Sequence, residues 1–354
     1  MITRPEGMRR ILFGVALLVG VSLGFSDAQG QGPIKGNPPG GIAAYAAGIF
    51  SSEPSSTEGG LTLLLPIGAR AVGLGRAVTA FQGNESAFWN PAGLARIDKG
   101  RFVVLRGNHQ AGEATAFSLI LARQPLGTLT LSYQLLDLGD QDYRDKDGNV
   151  LGTVSFRDHL GIVSFATQVL PWLDTGLNFK VFQTRATCRG QCTDSGVTGT
   201  TYFLDAGLLA FPIQDVPLRL GFMVAHVGPD LQLINVEQAD PLPTRVRAAG
   251  AYELLHHLMD REDMEIWATA ELEDRLRDFG SPMLYLGAEF VAGQGDQIFL
   301  RAGYGQGQTG QPAGMAVGLG IKYQQFEIGI GKALTSTNLV DDSEPVQITF
   351  GVIF

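Results

Sequence analysis

The last nine residues of the chain alternate between large apolar side chains and small or polar ones. The apolar set, at every second position, is Val346, Ile348, Phe350, Val352 and Phe354. Because successive side chains of a β-strand point to opposite faces, this pattern predicts a strand with one apolar face. Similar segments recur upstream, and helical periodicity is almost absent after the first 25 residues. Half-apolar strands without covering helices indicate a closed barrel whose apolar side meets lipid.

Fourteen such segments follow the first 100 residues. They are Arg101–His109, Glu113–Arg123, Gly127–Leu138, Asp158–Leu170, Trp172–Arg185, Tyr202–Ile213, Val216–Gly228, Thr244–Leu254, Met264–Glu273, Met283–Ala292, Gln297–Gly305, Gly314–Tyr323, Phe326–Thr335 and Val346–Phe354. Most joints after even-numbered strands are short and most after odd-numbered strands are long, including Gly139–Arg157 and Ala186–Thr201, as in outer-membrane barrels. The sequence therefore predicts an all-β fold, a transmembrane antiparallel β-barrel of about 14 strands. A soluble β-sandwich stays open, because the first and fourth segments alternate poorly.

The residues before the barrel divide into three parts. Residues 1–28 carry arginines, a short apolar run and then small residues, which predicts a cleaved signal peptide, with an uncleaved anchor as the alternative. Residues 29–60 are rich in Gly, Pro and Ser and predict a flexible periplasmic arm. Residues 61–98 predict a hatch or plug segment, and residues 99–354 the barrel. We therefore expect export through the inner membrane and insertion into the cell outer membrane, with Phe350 and Phe354 in the insertion signal.

Most charged residues of the predicted strands fall on the face that points into the barrel. The predicted lumen charges are Arg245, Arg247, Glu265, Glu271, Glu289, Arg301 and Glu327. A charge at the lipid midplane costs about 2–4 kcal/mol for Arg or Lys, which favours the inward phase. We interpret these residues as ion pairs that pack the lumen, and an ion-selective or catalytic site is the alternative.

Little else in the sequence indicates chemistry. The 354 residues carry a net charge of −9, which makes nucleic acid an unsuitable partner. Cys188 and Cys192 lie close together in an exported chain, so a disulfide is favoured over free thiols, and a metal site is the least favoured interpretation. Asp145 to Asn149 resembles a calcium loop without its bidentate Glu, so we expect a hairpin tip. No nucleophile stands beside a base at motif spacing, and we expect no enzyme activity, cofactor or metal.

Two stretches of the predicted hatch resemble a known family. Residues 66–81 read PIGARAVGLGRAVTAF, and residues 84–94 read NESAFWNPAGL. Together they resemble the N-terminal signature of the PorV/PorQ family, which belongs to the wider FadL-type group of fourteen-stranded barrels with an N-terminal hatch. The motif residues are Gly68, Arg70, Gly73, Gly75, Asn90, Pro91, Ala92 and Gly93. Independently, Pro91 restricts Asn90 to extended conformations and Gly93 permits a tight turn, so a fixed bend is expected before the first strand.

The resemblance implies two functions. A PorV-like protein would be a component or accessory of the type IX secretion system, which binds secreted cargo proteins and hands them to a translocon. A FadL-type protein would instead pass fatty acids or other hydrophobic compounds, and this requires an apolar pocket. Its candidate lining is Phe165, Phe182, Phe203, Leu209, Phe211 and Met223. A structural porin-like role is a third possibility, and the expected partners in every case include outer-membrane lipid and the barrel-assembly machinery.

Overall fold

The fourteen predicted strands form a closed barrel. The computed structural model describes residues 58–109, 112–145, 147–191, 196–213, 215–233, 239–256, 263–306, 314–334 and 346–354. The predicted signal peptide and nearly all of the predicted arm lie outside the described residues. The strands are β1 Arg101–His109, β2 Gly112–Arg123, β3 Gly127–Arg144, β4 Val150–Leu170, β5 Leu173–Gly190, β6 Gly196–Ala210, β7 Leu218–Val227, β8 Arg245–Glu253, β9 Met264–Arg275, β10 Asp278–Ala292, β11 Gln297–Gly305, β12 Gly314–Tyr323, β13 Phe326–Leu334 and β14 Val346–Ile353.

Each strand pairs antiparallel with its neighbour in sequence, and β14 pairs with β1 to close the sheet. In the closing pair, Val104 lies opposite Phe350 and Leu105 lies opposite Thr349. Closure satisfies the backbone groups at both edges, which a membrane-spanning sheet requires. The predicted fold class is confirmed, and the β-sandwich alternative is wrong.

The outward side chains form an apolar surface around the barrel. On β12, for example, Met315, Leu319 and Ile321 are 57–64% exposed, while the inward positions between them are small. Similar outward residues occur on other strands, including Phe179 on β5 and Ile328 on β13. Within the described residues, no helix is long and apolar enough to cross a membrane.

The first and fourth strands alternate poorly because their inward faces are apolar as well. Val103 and Leu105 of β1 are fully buried against Leu94 and Ile97, which precede the barrel. Leu160 and Ile162 of β4 lie in a second buried apolar cluster. Because the segment packed inside the barrel is apolar, both the inward and the outward faces of these strands are apolar. The alternation of apolar and polar residues is therefore lost.

Two predicted loops are wrong because the strands continue beyond the apolar band. Within Gly139–Arg157, β3 runs on to Arg144 and β4 begins at Val150. Within Ala186–Thr201, β5 runs to Gly190 and β6 begins at Gly196. The extension of β3 is mostly polar, and that of β4 has its apolar residues, Val150, Leu151, Val154 and Phe156, at irregular spacing, so no apolar alternation marks them. We call this end of the barrel the loop end, and the end that holds Arg101 and Phe354 the turn end. From the long loops, the loop end is expected to face the outside of the cell.

Candidate functional site: the hatch and the lumen

Residues 58–100, which we call the hatch, run through the lumen from the loop end to the turn end. They contain a 3-10 turn at Leu61–Leu64, helix α1 at Ala69–Gly73 and a 3-10 turn at Pro91–Leu94. Glu58 accepts two hydrogen bonds of 2.7 Å from Arg245 at the loop end of β8. The described end of the predicted arm, residues 58–60, thus lies at the loop end, and the placement of the rest of the arm stays a prediction.

A buried carboxylate of the wall holds the hatch helix. Glu289 of β10 is 2% exposed and accepts hydrogen bonds of 2.6 and 3.1 Å from the guanidinium of Arg70 on α1. Arg301 of β11 donates a third, of 2.6 Å, to the same carboxylate. Charge-assisted hydrogen bonds of this kind are about twice as strong as neutral ones. One wall carboxylate therefore joins two guanidinium groups and attaches the hatch to β10 and β11.

Two neighbouring carboxylates on β9 make a second attachment. Glu271 accepts from both the backbone N–H and the hydroxyl of Thr79, at 2.9 and 2.8 Å. Glu273 pairs with Arg247 of β8 at 2.5 Å and lies 3.8 Å from Arg76 of the hatch. Both carboxylates are 1% exposed. The hatch is therefore held from two sides of the wall.

A hatch carboxylate completes the connection to β14. Glu85 accepts from the backbone N–H groups of Arg70 and Ala71, at 3.2 and 3.0 Å, and from the hydroxyl of Thr349 at 2.8 Å. Burial raises the pKa of the Glu85 carboxyl, although these donors and the Arg301 charge oppose the rise. This carboxyl fixes the start of α1 against the last strand.

The predicted motif glycines lie where the hatch approaches other backbone closely. Gly68 has φ of 99°, a left-handed conformation that favours glycine. A Cβ on Gly73 would lie 3.0 Å from the Cα of Gly318, and one on Gly75 would lie 2.5 Å from the backbone N of Tyr304. Glycine at these positions therefore lets the hatch pack directly on the backbone of β11 and β12.

The Asn-Pro-Ala-Gly element fixes the predicted bend. The Asn90 side chain accepts from the backbone N–H of Ala92 at 3.1 Å and donates to the carbonyls of Thr79 and Leu208, at 2.7 and 3.1 Å. Pro91 opens the second 3-10 turn. Asn90 thus joins two parts of the hatch to β6.

The predicted lumen charges differ in burial and in the part of the barrel where they lie. Arg245, Arg247, Glu271, Glu289 and Arg301 are buried inside the barrel. Glu327 accepts a 2.7 Å hydrogen bond from Asn84 of the hatch. Glu265 instead lies near the turn end, where it accepts from the indole N–H of Trp267 at 2.7 Å.

A buried network on the other side of the lumen was missed from the sequence. Lys180 of β5 lies 2.6 Å from Asp205 of β6, and both are at most 2% exposed. Asp205 also accepts from the Asn178 amide at 2.8 Å and from the His226 backbone N–H at 2.9 Å. The β6–β7 ladder breaks its register here, between Leu204 and Ala206. The alternation of Phe179 with Lys180 places the lysine inward, but nothing in the sequence indicates its partner Asp205 or the register break.

Next to this break lies an apolar cluster inside the lumen. It consists of Leu160, Ile162, Phe182, Phe203, Leu231 and Leu242, with Leu63 and Phe88 of the hatch packed against it. The two cavities at its edges have volumes of only about 20 and 10 Å³. Side chains of the hatch therefore fill the apolar part of the lumen.

Larger cavities lie on the turn-end side of the hatch. One of about 850 Å³ is lined by aromatic and charged side chains, among them Trp172, Phe211, Arg219 and Trp267. The Arg219 guanidinium lies 3.7 Å from the centroid of the Trp267 ring. A smaller cavity of about 190 Å³ lies between the hatch and β11–β14 and is lined by Arg101, Arg301, Lys322 and Glu327, among others.

Several solved structures are similar to this chain in fold. The CymD monoaromatic hydrocarbon channel matches with a TM-score of 0.52 and 11% identity, over 82% of this chain and 97% of that one. A Pseudomonas aeruginosa FadL homologue matches with 0.50 and 10%, over 82% and 98%. The TodX deltaS2S3 mutant monoaromatic hydrocarbon channel matches with 0.53 and 12%, over 81% and 97%. The chain therefore has the FadL-type fourteen-stranded barrel fold.

Sequence comparisons do not assign the chain to a family. No family model and no curated protein matches the chain. None of the three structures above is described as a PorV or PorQ protein. The resemblance to that family stays a prediction, while the wider FadL-type barrel fold is shown.

The remaining predicted residues have mixed outcomes. Of the predicted apolar lining, Phe182, Phe203, Leu209 and Met223 are buried, Phe211 lies at the turn end, and Phe165 points outward with 49% exposure, which corrects its placement. Phe350 stacks on Phe326 with ring centroids 6.3 Å apart, and Phe354 is 65% exposed, but their role in insertion stays a prediction. Cys192 lies outside the described residues, so its disulfide with Cys188 stays a prediction.

The hairpin at Asp145 is a tip held by its own side chain. The Asp145 carboxylate accepts from the backbone N–H groups of Asp147 and Asn149 and from the Asn149 amide, at 2.8–3.0 Å. The Asn149 side chain is the main cause that lowers the pKa of Asp145. Among the described residues, no group of His, Cys, Asp and Glu side chains is arranged to hold a metal ion.

Proposed function

We propose that this protein is an outer-membrane barrel that binds hydrophobic compounds and passes them across or into the membrane. The observation that carries the proposal is the apolar cluster in the lumen around Phe182 and Phe203. The lumen of an open porin is polar and water-filled. The FadL-type fold and the outward apolar surface support the location, and the neighbours described as monoaromatic hydrocarbon channels support the compound class.

Binding requires that part of the hatch leaves its place. The apolar cluster adjoins cavities of only about 20 and 10 Å³, whereas ligand pockets usually measure about 300–1,000 Å³. The hatch residue packed into the cluster from the loop end is Leu63, which is only partly buried. The segment from Glu58 to Leu65 is attached by few bonds, chiefly to Arg245, Asp158 and Pro241. We therefore infer that this segment moves aside when a compound enters.

The experiment uses purified full-length protein in a neutral detergent and a panel of monoaromatic hydrocarbons and long-chain fatty acids. We expect Leu63→Ala to bind the preferred compound more tightly, because the competing side chain is smaller. Leu61→Ala is the matched control, since Leu61 lies on the same turn and is 57% exposed. No binding by any variant, or identical affinities for both variants, would contradict the proposal.

The second candidate is the PorV-like role in type IX secretion. Its support is the hatch motif, together with the filling of the apolar part of the lumen by hatch side chains. The extended strands β3 to β6 at the loop end supply a surface for docking. Affinity purification from outer membranes tests it, and the expected result is co-purification of a secreted protein that is lost when residues 139–157 are shortened.

A further inference from the structure

Two arginines lie side by side on the outward face of the extended strands. Arg157 of β4 and Arg185 of β5 are direct register partners. Both are exposed and lie on the same face as the outward apolar residues Val163 and Phe179. Like charges directly opposite each other destabilise a sheet. The pairing of Arg157 with Arg185 is therefore unfavourable unless anionic groups lie beside it.

The protein itself compensates only part of this charge. Asp137 accepts a 3.0 Å hydrogen bond from the Nε of Arg157, but both side chains are well exposed, at 44% and 38%. Such a surface ion pair contributes little. Among the described residues, no carboxylate lies within 4.0 Å of the Arg185 guanidinium. Asp140 is on the same face but on β3, so that β4 separates it from Arg185.

Two other arginines near the loop end have carboxylate partners. Arg106 of β1 pairs with Glu113 of β2 by a short contact, and Arg144 pairs with Asp142 at 2.6 Å. Among the described residues, Arg185 therefore has an unmatched charge, as does Arg189 on the same face of β5. Hydroxyl groups flank Arg185, because it lies opposite Thr198 on β6 and Thr187 follows on the same face.

The position of Arg157 and Arg185 along the membrane normal indicates which part of the membrane lies next to them. Tyr133, Val181 and Tyr202 lie in one row across β3 to β6, with Gly161 between them on β4. Tyrosines of this kind mark the membrane interface. Arg185 lies four residues beyond Val181, about 13 Å along the strand and about 10 Å along the membrane normal for a tilt of roughly 40°. Arginine side chains at this height reach back to the lipid headgroups.

We propose that Arg157 and Arg185 form a binding site for the phosphate group of an outer-leaflet glycolipid. Guanidinium groups bind phosphate by paired hydrogen bonds, and both arginines are exposed on the outward face of the barrel. This inference rests on the proposed outer-membrane location, but not on the binding of compounds in the lumen. If the site is occupied, one lipid molecule is bound to the outer surface of the barrel at the level where β4 and β5 leave the membrane.

The test measures lipid binding to the purified protein in a neutral detergent by native mass spectrometry. Lipid A, which carries phosphate monoesters, is compared with dephosphorylated lipid A and with inorganic phosphate. We expect lipid A to bind, and Arg185→Gln to weaken binding about tenfold, as the loss of one charge-assisted hydrogen bond implies. Arg106→Gln is the matched control, because Arg106 lies on the same outward face of the barrel and is already paired.

Three results would overturn the inference. They are equal binding of dephosphorylated lipid A, equal loss of affinity in Arg106→Gln, and full competition by inorganic phosphate at low millimolar concentration. Binding of hydrophobic compounds to the same preparations is measured in parallel. A protein that binds such compounds but not lipid A disproves only the lipid site, and the reverse result disproves only the proposed function.

Discussion

Removal of the Glu289 carboxylate tests whether ion pairs hold the hatch in the barrel. Glu289→Ala leaves the guanidinium groups of Arg70 and Arg301 without their shared partner. The carboxylate is 2% exposed and accepts three hydrogen bonds of 2.6–3.1 Å. Removing one partner from a buried ion pair typically costs about 3–5 kcal/mol. We therefore expect a loss of about that size in the free energy of unfolding.

The size of the loss distinguishes this pair from those on the surface. Glu113 also pairs with an arginine, Arg106, but both side chains are more than half exposed, at 57% and 56%. An exposed pair contributes about 0–1 kcal/mol, so Glu113→Ala is the matched control. A double-mutant cycle with Arg70→Ala isolates the contact between hatch and wall, and we expect a coupling energy of about 1–3 kcal/mol.

The assay is urea unfolding of the protein in lipid vesicles, followed by tryptophan fluorescence. Limited proteolysis of the folded variants gives a second measurement, because a released hatch exposes its backbone. A loss below about 1 kcal/mol for Glu289→Ala, with unchanged proteolysis, would refute the view that the wall carboxylates hold the hatch.

Two further predictions concern the packing and the pH dependence of the hatch. A Cβ on Gly331 would lie 2.3 Å from the carbonyl oxygen of Ala69. We therefore expect Gly331→Ala to destabilise the protein by about 1–3 kcal/mol in the same urea assay. Gly161→Ala is the control and should cause no such loss, because a Cβ on Gly161 meets no atom within 4 Å. Burial raises the pKa of Glu85 in the folded state. The wild type should therefore lose stability relative to Glu85→Gln as the pH rises above about 4.5. Equal pH profiles of stability for the two proteins would contradict this prediction.

The sequence predicts the barrel well because alternation is a local property of each strand. Met315 to Tyr323 shows its two faces within nine residues, and the structure places them as expected. The pattern fails where both faces have the same environment. The inward face of β1 is apolar because Leu94 and Ile97 cover it, and the extension of β3 is mostly polar on both sides.

The site is less predictable because it depends on contacts between distant parts of the chain. The inward phase of Glu271 and Glu289 follows from the strand pattern, but their partners Thr79 and Arg70 are about 200 residues away. The path of the hatch from the loop end likewise depends on the contact of Glu58 with Arg245. No local pattern encodes such pairings, so the sequence does not indicate the direction of the hatch.

A reversible crosslink provides the most direct test of whether compounds enter by displacing the hatch. A Cβ on Gly59 would lie 2.7 Å from the Cβ of Asp240, close enough for a disulfide after a small shift. The variant Gly59→Cys with Asp240→Cys, in a background with both native cysteines replaced by serine, is assayed for equilibrium binding of the preferred hydrophobic compound. We predict that binding is lost when the disulfide forms and returns on reduction. Equal binding by the oxidised and reduced protein would contradict the account.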